Sequence, residues 1–330
     1  MKTPRRNLLL LFLGLLAVLV VCPMLGSSFA GWNLLFSTGH DEISRVIFLR
    51  TRLPRLLLSL LVGASLALSG AVYQSIFRNA LASPFTLGTA SGGAFGAVLA
   101  IKLGFDFSLI GLSTVTLSAF AGSLLSLAVV YFLGRHRGGV TTTTMLLAGV
   151  TVGFFFSAMT LFAHYLMDYT QSYRVVLWTM GSLDITEYGS LLKIAPLIIV
   201  CLLLLTRMAR DYNQICLGED IARTRGVDVE AVKRKSFILT SLAVGASVSI
   251  AGPIGFVGLV VPHVLRLLIG SDYRVLLPAS ILGGGAFLAL CDTAARLLIS
   301  PSEIPVGVIT ALLGGPFFLF LLLRKSPEEF

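Results

Sequence analysis

Apolar runs of about twenty residues recur along the whole chain, and that recurrence limits its fold more than any single motif. A helix needs about 20 mostly apolar residues to cross a bilayer. Ten stretches meet or approach that length: about 8–28, 55–77, 87–104, 109–133, 142–166, 190–206, 234–252, 255–269, 275–298 and 306–323. The runs are continuous rather than alternating, which argues against a closed barrel. Charged residues make up only 12% of the chain, against about a quarter in a soluble domain. The reading is therefore an all-α polytopic membrane protein, with a single transmembrane domain over residues 1–330. The formal net charge of +9 then reflects loop bias rather than a nucleic-acid partner.

Lys2, Arg5 and Arg6 ahead of Leu8–Val21, with Ser27-Ser28-Phe29-Ala30 beyond, have the outline of a signal peptide. The further spans that follow favour a retained first helix. An even number of spans puts both termini on one side, and both ends are basic, with Arg324 and Lys325 at the far end. The positive-inside rule places them in the cytoplasm, with Arg78, Arg135, Arg137, Arg266 and Arg274. Arg45, Arg50, Arg52 and Arg55 then crowd the outer side, against the rule. Cys22, Cys201, Cys216 and Cys291 stand singly, which supports neither a disulfide framework nor a metal site.

One long hydrophilic island, residues 207–235, interrupts the oily pattern between spans six and seven. Within it, Gly218 to Gly226 reads as a short helix, with Glu219 and Asp220 at its start, Arg223 and Arg225 near its end, and Gly226 as terminator. Asp228 can cap the helix that follows. Such a helix at the membrane surface could dock on a soluble motor; the alternative is a solvated connector. The chain carries no phosphate-cradling Gly-rich loop, no His-Glu-x-x-His and no nucleophile elbow. Among its carboxylates only Asp292 falls well inside a span, while Asp168, Asp184, Glu187 and Glu303 fall at outer loops. Ion-coupled carriers need ionisable groups in mid-membrane, so their scarcity argues against secondary transport. His164 and His263 are possible ligands, with a structural role the alternative. Val62-Gly63-Ala64-Ser65 with Gly70 recurs as Val244-Gly245-Ala246-Ser247 with Gly252. This echo fits either an inverted repeat or small residues recurring wherever membrane helices pack closely.

Several stretches together resemble a known family. They are Arg52-Leu53-Pro54-Arg55, Arg78-Asn79-Ala80-Leu81-Ala82-Ser83-Pro84, and the run Ala251-Gly252-Pro253-Ile254-Gly255-Phe256-Val257-Gly258-Leu259-Val260-Val261-Pro262-His263. Gly270-Ser271-Asp272, Glu303-Ile304-Pro305-Val306-Gly307 and Gly314-Gly315-Pro316-Phe317-Phe318 complete the set. Over about residues 45–324 the chain resembles the FecCD-like permeases of type II ATP-binding-cassette importers, which carry iron-siderophore, haem and cobalamin.

The resemblance implies a ten-helix permease that is not an enzyme and binds no cofactor. It pairs with a second permease copy, as a homodimer or with a different permease, and two cytoplasmic ATPases use ATP-Mg. A periplasmic binding protein delivers the metal chelate across the inner (cytoplasmic) membrane of a bacterium, iron-siderophore being the first choice of ligand. Gly218, Glu219, Asp220, Ala222, Arg223 and Gly226 match the coupling helix that sits on the ATPase. Arg52, Arg55 and Arg296 match outward-facing arginines that receive acidic residues of the binding protein; the alternative for Arg296 is a partner for Asp292, one turn earlier. Asn79 and Leu81 match one cytoplasmic constriction, and Thr141, Thr142 and Thr143, in a four-Thr run with Thr144, match another. The family's usual loop has Pro where this chain has Ala80.

Overall fold

In the computed structural model, residues 4–25, 42–104, 107–109, 111–135, 142–184, 188–299 and 302–324 are described. Lys2, Ser27-Ser28-Phe29-Ala30, Arg137, Thr141, Glu187 and Lys325, singled out above, lie outside them. Each of the ten apolar stretches holds one principal helix: α1 (Pro4–Val21), α3 (Leu53–Ile76), α4 (Thr89–Leu103), α5 (Thr114–Arg135), α6 (Thr142–Tyr165), α8 (Tyr188–Arg207), α11 (Val229–Ala251), α12 (Val257–Ile269), α13 (Tyr273–Leu297) and α14 (Val306–Arg324). Five described stretches are long and apolar enough to cross a membrane by themselves: Arg45–Ile76, Thr114–Gly134, Thr143–Tyr165, Tyr188–Arg207 and Tyr273–Leu297. The others do not all match the length expected of a full span. α12 has 13 residues, and a non-helical segment, Gly252–Phe256, leads into it, with Phe256 in the left-handed region at φ 65°. Irregular backbone at membrane depth is tolerated where protein surrounds it, and Gly252 and Ile254 are buried here.

Shorter helices join these: α2 (Glu42–Ile47), α7 (Tyr169–Thr179), α9 (Ala209–Leu217) and α10 (Glu219–Thr224). A two-residue hairpin pairs β1 (Ser108–Leu109) with β2 (Leu112–Ser113), antiparallel. The sequence reading did not separate α2, α7 and α9. Asp168 was the available signal for α7: its carboxylate accepts from Gln171 N at 2.8 Å and caps the helix. For α9 the signal was Ala209, Tyr212 and Ile215, buried along one face.

α3 is the hub, buried along nearly all of its length and packed on α8, α11, α12 and α13. Lipid tails are as apolar as the side chains they would replace, so close packing rather than water exclusion holds such helices together. Small residues permit it. A Cβ on Gly63 would sit 2.2 Å from the Gly284 carbonyl oxygen of α13, and one on Gly70 would sit 1.8 Å from that of Gly258 in α12. The second half of the echo has other roles: Gly245 would meet only Phe120 and Ser123 at ordinary distances, and Gly252 ends α11. Packing therefore accounts for the first copy, and the matching letters do not carry matching contacts.

Candidate functional site: two polar ends of an apolar bundle

α3 rises about 36 Å at 1.5 Å per residue, enough to cross a hydrocarbon core about 30 Å thick, and each of its ends organises a polar cluster. At its start, Arg55 Nε donates to Asp292 Oδ1 at 2.7 Å, and Arg55 Nη1 reaches Asp184 Oδ1 at 2.7 Å and Glu303 Oε2 at 2.5 Å. One turn beyond Asp292, Arg296 Nε contacts Asp292 Oδ2 at 3.2 Å. Arg296 also donates to the carbonyls of Leu25 and Cys22, and Arg52 donates to that of Pro23. The cluster therefore ties α3, α13 and the segments around 184 and 303 to the end of α1.

This arrangement adds contacts that the sequence reading did not foresee. Arg52 and Arg55 are buried at 6% and 4% exposure. The Arg55 guanidinium is engaged by three carboxylates of its own chain. The neighbouring Arg45 and Arg50 are the exposed arginines of that group. Arg296 does pair with Asp292, as the simpler alternative had it. Asp292, the candidate coupling carboxylate of an ion-driven carrier, is itself held between two arginines.

At the other end of α3, Gln74 Oε1 accepts from Arg266 Nη2 at 2.7 Å, and Ser75 Oγ donates to Tyr212 O at 3.3 Å. Tyr212 in turn shares a 2.8 Å hydrogen bond with Ser236 Oγ, and burial pushes its phenol above its ordinary pKa. Asn213 binds Asp272 through Nδ2 at 2.7 Å and accepts from Tyr273 N. The 207–235 segment, the start of α11 and the turn before α13 thus meet on one side.

The expected short helix is α10. Gly218 precedes it at φ 134°, a conformation L side chains rarely adopt, which lets α9 turn directly into α10. Ala222 is fully buried, whereas Asp220, Ile221, Arg223 and Thr224 are exposed. Glu219 pairs with buried Lys233 at 2.6 Å and with Arg223 at 3.7 Å, and Asp220 with Arg223 at 3.2 Å. The Lys233 pair fastens α10 to α11. Gly226 follows at φ 83°, and Asp228 caps α11 by accepting from Ala231 N at 2.9 Å.

The loop after α3 carries Asn79, whose Oδ1 accepts from Leu81 N at 2.8 Å, and Leu81 itself is exposed. The loop continues into a 3-10 turn, Phe85–Leu87, that packs on α6 beside Gly149. Thr142 opens α6 and Thr143 is exposed. α6 exposes one broad face, on which Thr143, Thr151 and Ser157 alternate with Leu147, Phe154 and Leu161. α8 differs, exposing Leu192, Ile199, Val200 and Leu203. His164 is half-buried near the end of α6. His263 is buried edge-on against Phe317 and Phe318, which fits a packing role. Among the described residues no group of three or more His, Cys, Asp or Glu could hold a metal ion.

The turn between α12 and α13 gives a pH-dependent expectation. Hydrogen bonds from Arg274 hold the Asp272 carboxyl down at about 2, below the unfolded value of about 3.9. Its contribution is therefore complete above about pH 4 and is lost as pH falls toward 2. Asp272→Asn is expected to flatten that acid limb in thermal unfolding of the purified permease between pH 5 and pH 2.5. An unchanged limb would assign the acid sensitivity elsewhere.

Comparison with known proteins agrees with this geometry over nearly the whole chain. The model of the FecCD transport family matches residues 9–324. The chain is 40% identical over 325 residues to the hemin transport system permease protein HmuU of Yersinia pestis, covering 97% of each. It is 44% identical over 285 residues to the cobalamin import system permease protein BtuC of Halobacterium salinarum, covering 86% of this chain and 75% of that one. Among solved structures, one described as an inward-facing conformation of a metal-chelate type ABC transporter superposes with a TM-score of 0.86 at 33% identity, over 97% of this chain and 100% of the other. The chain belongs to the FecCD transport family and is a permease subunit of an ABC importer.

Proposed function

We propose that this permease carries a metal chelate inward across the cytoplasmic membrane, and that the chelate is haem. The carrying observation is the match to a hemin permease along 97% of both chains. The relatives described above are named for hemin and for cobalamin, and none for a siderophore, so haem replaces iron-siderophore as first choice. Cobalamin is the second reading, supported by the 44% identity to a cobalamin permease.

In this reading two copies of the chain pair around a pathway faced by α6. Its hydroxyls among apolar groups suit a surface that passes a large chelate without holding it. A binding protein docks at the Arg52, Arg55 and Arg296 end. Because Arg55 is already engaged, an incoming carboxylate displaces Asp184 or Glu303, both partly exposed, so the charge count around Arg55 is preserved during the exchange. Two ATPases, using ATP-Mg, act on α10 through Glu219, Asp220, Ala222 and Arg223 between Gly218 and Gly226. Motion passes through the Glu219–Lys233 pair to α11. Asn79, Leu81 and the Thr141, Thr142 and Thr143 run form the inner gate, and the chain ends lie in the cytoplasm.

The test is uptake of radiolabelled haem, ferric siderophore and cobalamin, side by side, in cells with and without the gene. Loss of haem uptake alone is the expected result. Loss of cobalamin or siderophore uptake alone would replace haem while keeping the mechanism. No change in any of the three would overturn the metal-chelate reading.

A further inference from the structure

α1 packs on α13 incompletely. Between α1 and the α12–α13 pair lies a cavity of about 390 Å³, lined by Asn7, Leu11, Gly14 and Val18 on one side and by residues such as Leu265 and Leu290 on the other. Its wall is apolar except for Asn7, whose Nδ2 reaches Leu268 O at 3.5 Å. From Asn7 to Val18 the helix rises about 16 Å, close to half of a hydrocarbon core about 30 Å thick. The crevice therefore has the depth of one leaflet and opens where the surrounding solvent is lipid. Its polar end carries positive charge: Arg6 is exposed beside Asn7, Lys2 and Arg5 precede it in the chain, and α1 contains no acidic residue. In the turn between α12 and α13, Asp272 is engaged by Arg274 and Asn213.

The geometry points to a structural lipid site, in which one acyl chain of an anionic phospholipid fills this crevice and its phosphate lies at Arg6 and Asn7. An apolar cavity in a membrane-facing seam is filled by hydrocarbon, because no polar partners are present to hold water there. The charge at the rim selects the headgroup, since a Lys or Arg near the surface contributes about fivefold to anionic-lipid binding. Gly14 fits the same picture: a Cβ there would have nothing within 4 Å, so a larger side chain can enter the crevice without displacing helix backbone.

The test places the purified permease in nanodiscs of equimolar phosphatidylglycerol and phosphatidylcholine and counts retained lipids by native mass spectrometry. One phosphatidylglycerol per chain is the expected result. Gly14→Leu and Gly14→Phe should each lose it while keeping the helical circular dichroism signal. Arg6→Gln should keep a bound lipid but reduce the preference for phosphatidylglycerol about fivefold. No retained lipid in the unaltered permease, or equal retention in the Gly14 variants, would overturn the site. Equal retention of the two lipids by the unaltered protein would overturn the anionic class. None of these outcomes depends on which chelate is carried, so the haem assignment can fail separately.

Discussion

Asp292→Ala is expected to destabilise the folded permease by about 3–5 kcal/mol, the usual cost of removing one member of a buried ion pair. Asp292 and Arg55 are 3% and 5% exposed at their side chains and lie 2.7 Å apart. Without Asp292, Arg55 retains only Asp184 and Glu303, which are much more exposed, and Arg296 loses its partner one turn away. The measurement is thermal unfolding in detergent, followed by tryptophan fluorescence. Arg50→Ala, at an exposed position of the same basic group, should stay within about 0.5 kcal/mol as a surface change does. Arg55→Met combined with Asp292→Leu should cost less than Asp292→Ala alone, because it no longer strands Arg55 in the buried site, although Arg296 loses Asp292 in both variants. If Asp292→Ala shifts stability no more than Arg50→Ala, the cluster does not hold this end of the bundle together.

The second large effect is expected at Gly70. Even an Ala there places a Cβ 1.8 Å from the Gly258 carbonyl oxygen, so α3 and α12 must separate. Overpacking a core costs about 1–3 kcal/mol and occasionally more. This case belongs at the upper end, because the obstructing atom is backbone and has no rotamer to move into. Trimming side chains on α12 cannot relieve it. Gly70→Leu should abolish accumulation of folded permease, measured by size-exclusion profile of the solubilised protein. Gly189→Ala, where a Cβ meets nothing within 4 Å, should leave the profile unchanged. A normal profile for Gly70→Leu would mean that the two helices can part without loss of the fold.

Much of the architecture was legible in the sequence because bilayer thickness converts directly into run length. Each of the ten apolar stretches holds one principal helix, and the charged island contains α10 with its capped successor where Gly218, Glu219, Asp220 and Asp228 indicated. Three helices were missed for a common reason. α2, α7 and α9 are short, so none carries the long apolar run that identified the others. The short eighth stretch, read as about 255–269, holds α12 at Val257–Ile269. Composition does not reveal that Gly252–Phe256 is non-helical, since that depends on neighbouring helices satisfying its backbone.

The sequence by itself determined the class, the number of apolar stretches, the place of the charged island and, through its Gly-Pro-Ile-Gly-Phe-Val-Gly run, the family. Those properties reside in local composition and short-range order. Only the tertiary structure decided where the arginines point. Arg52, Arg55 and Arg296 are close to three different partners far away in the chain: Pro23, the Asp184–Asp292–Glu303 carboxylates and Leu25. Whether an arginine faces a docking partner or neutralises buried carboxylates depends on which helix ends the fold brings together, and that information is carried by the packing of α1, α3 and α13 rather than by any one segment.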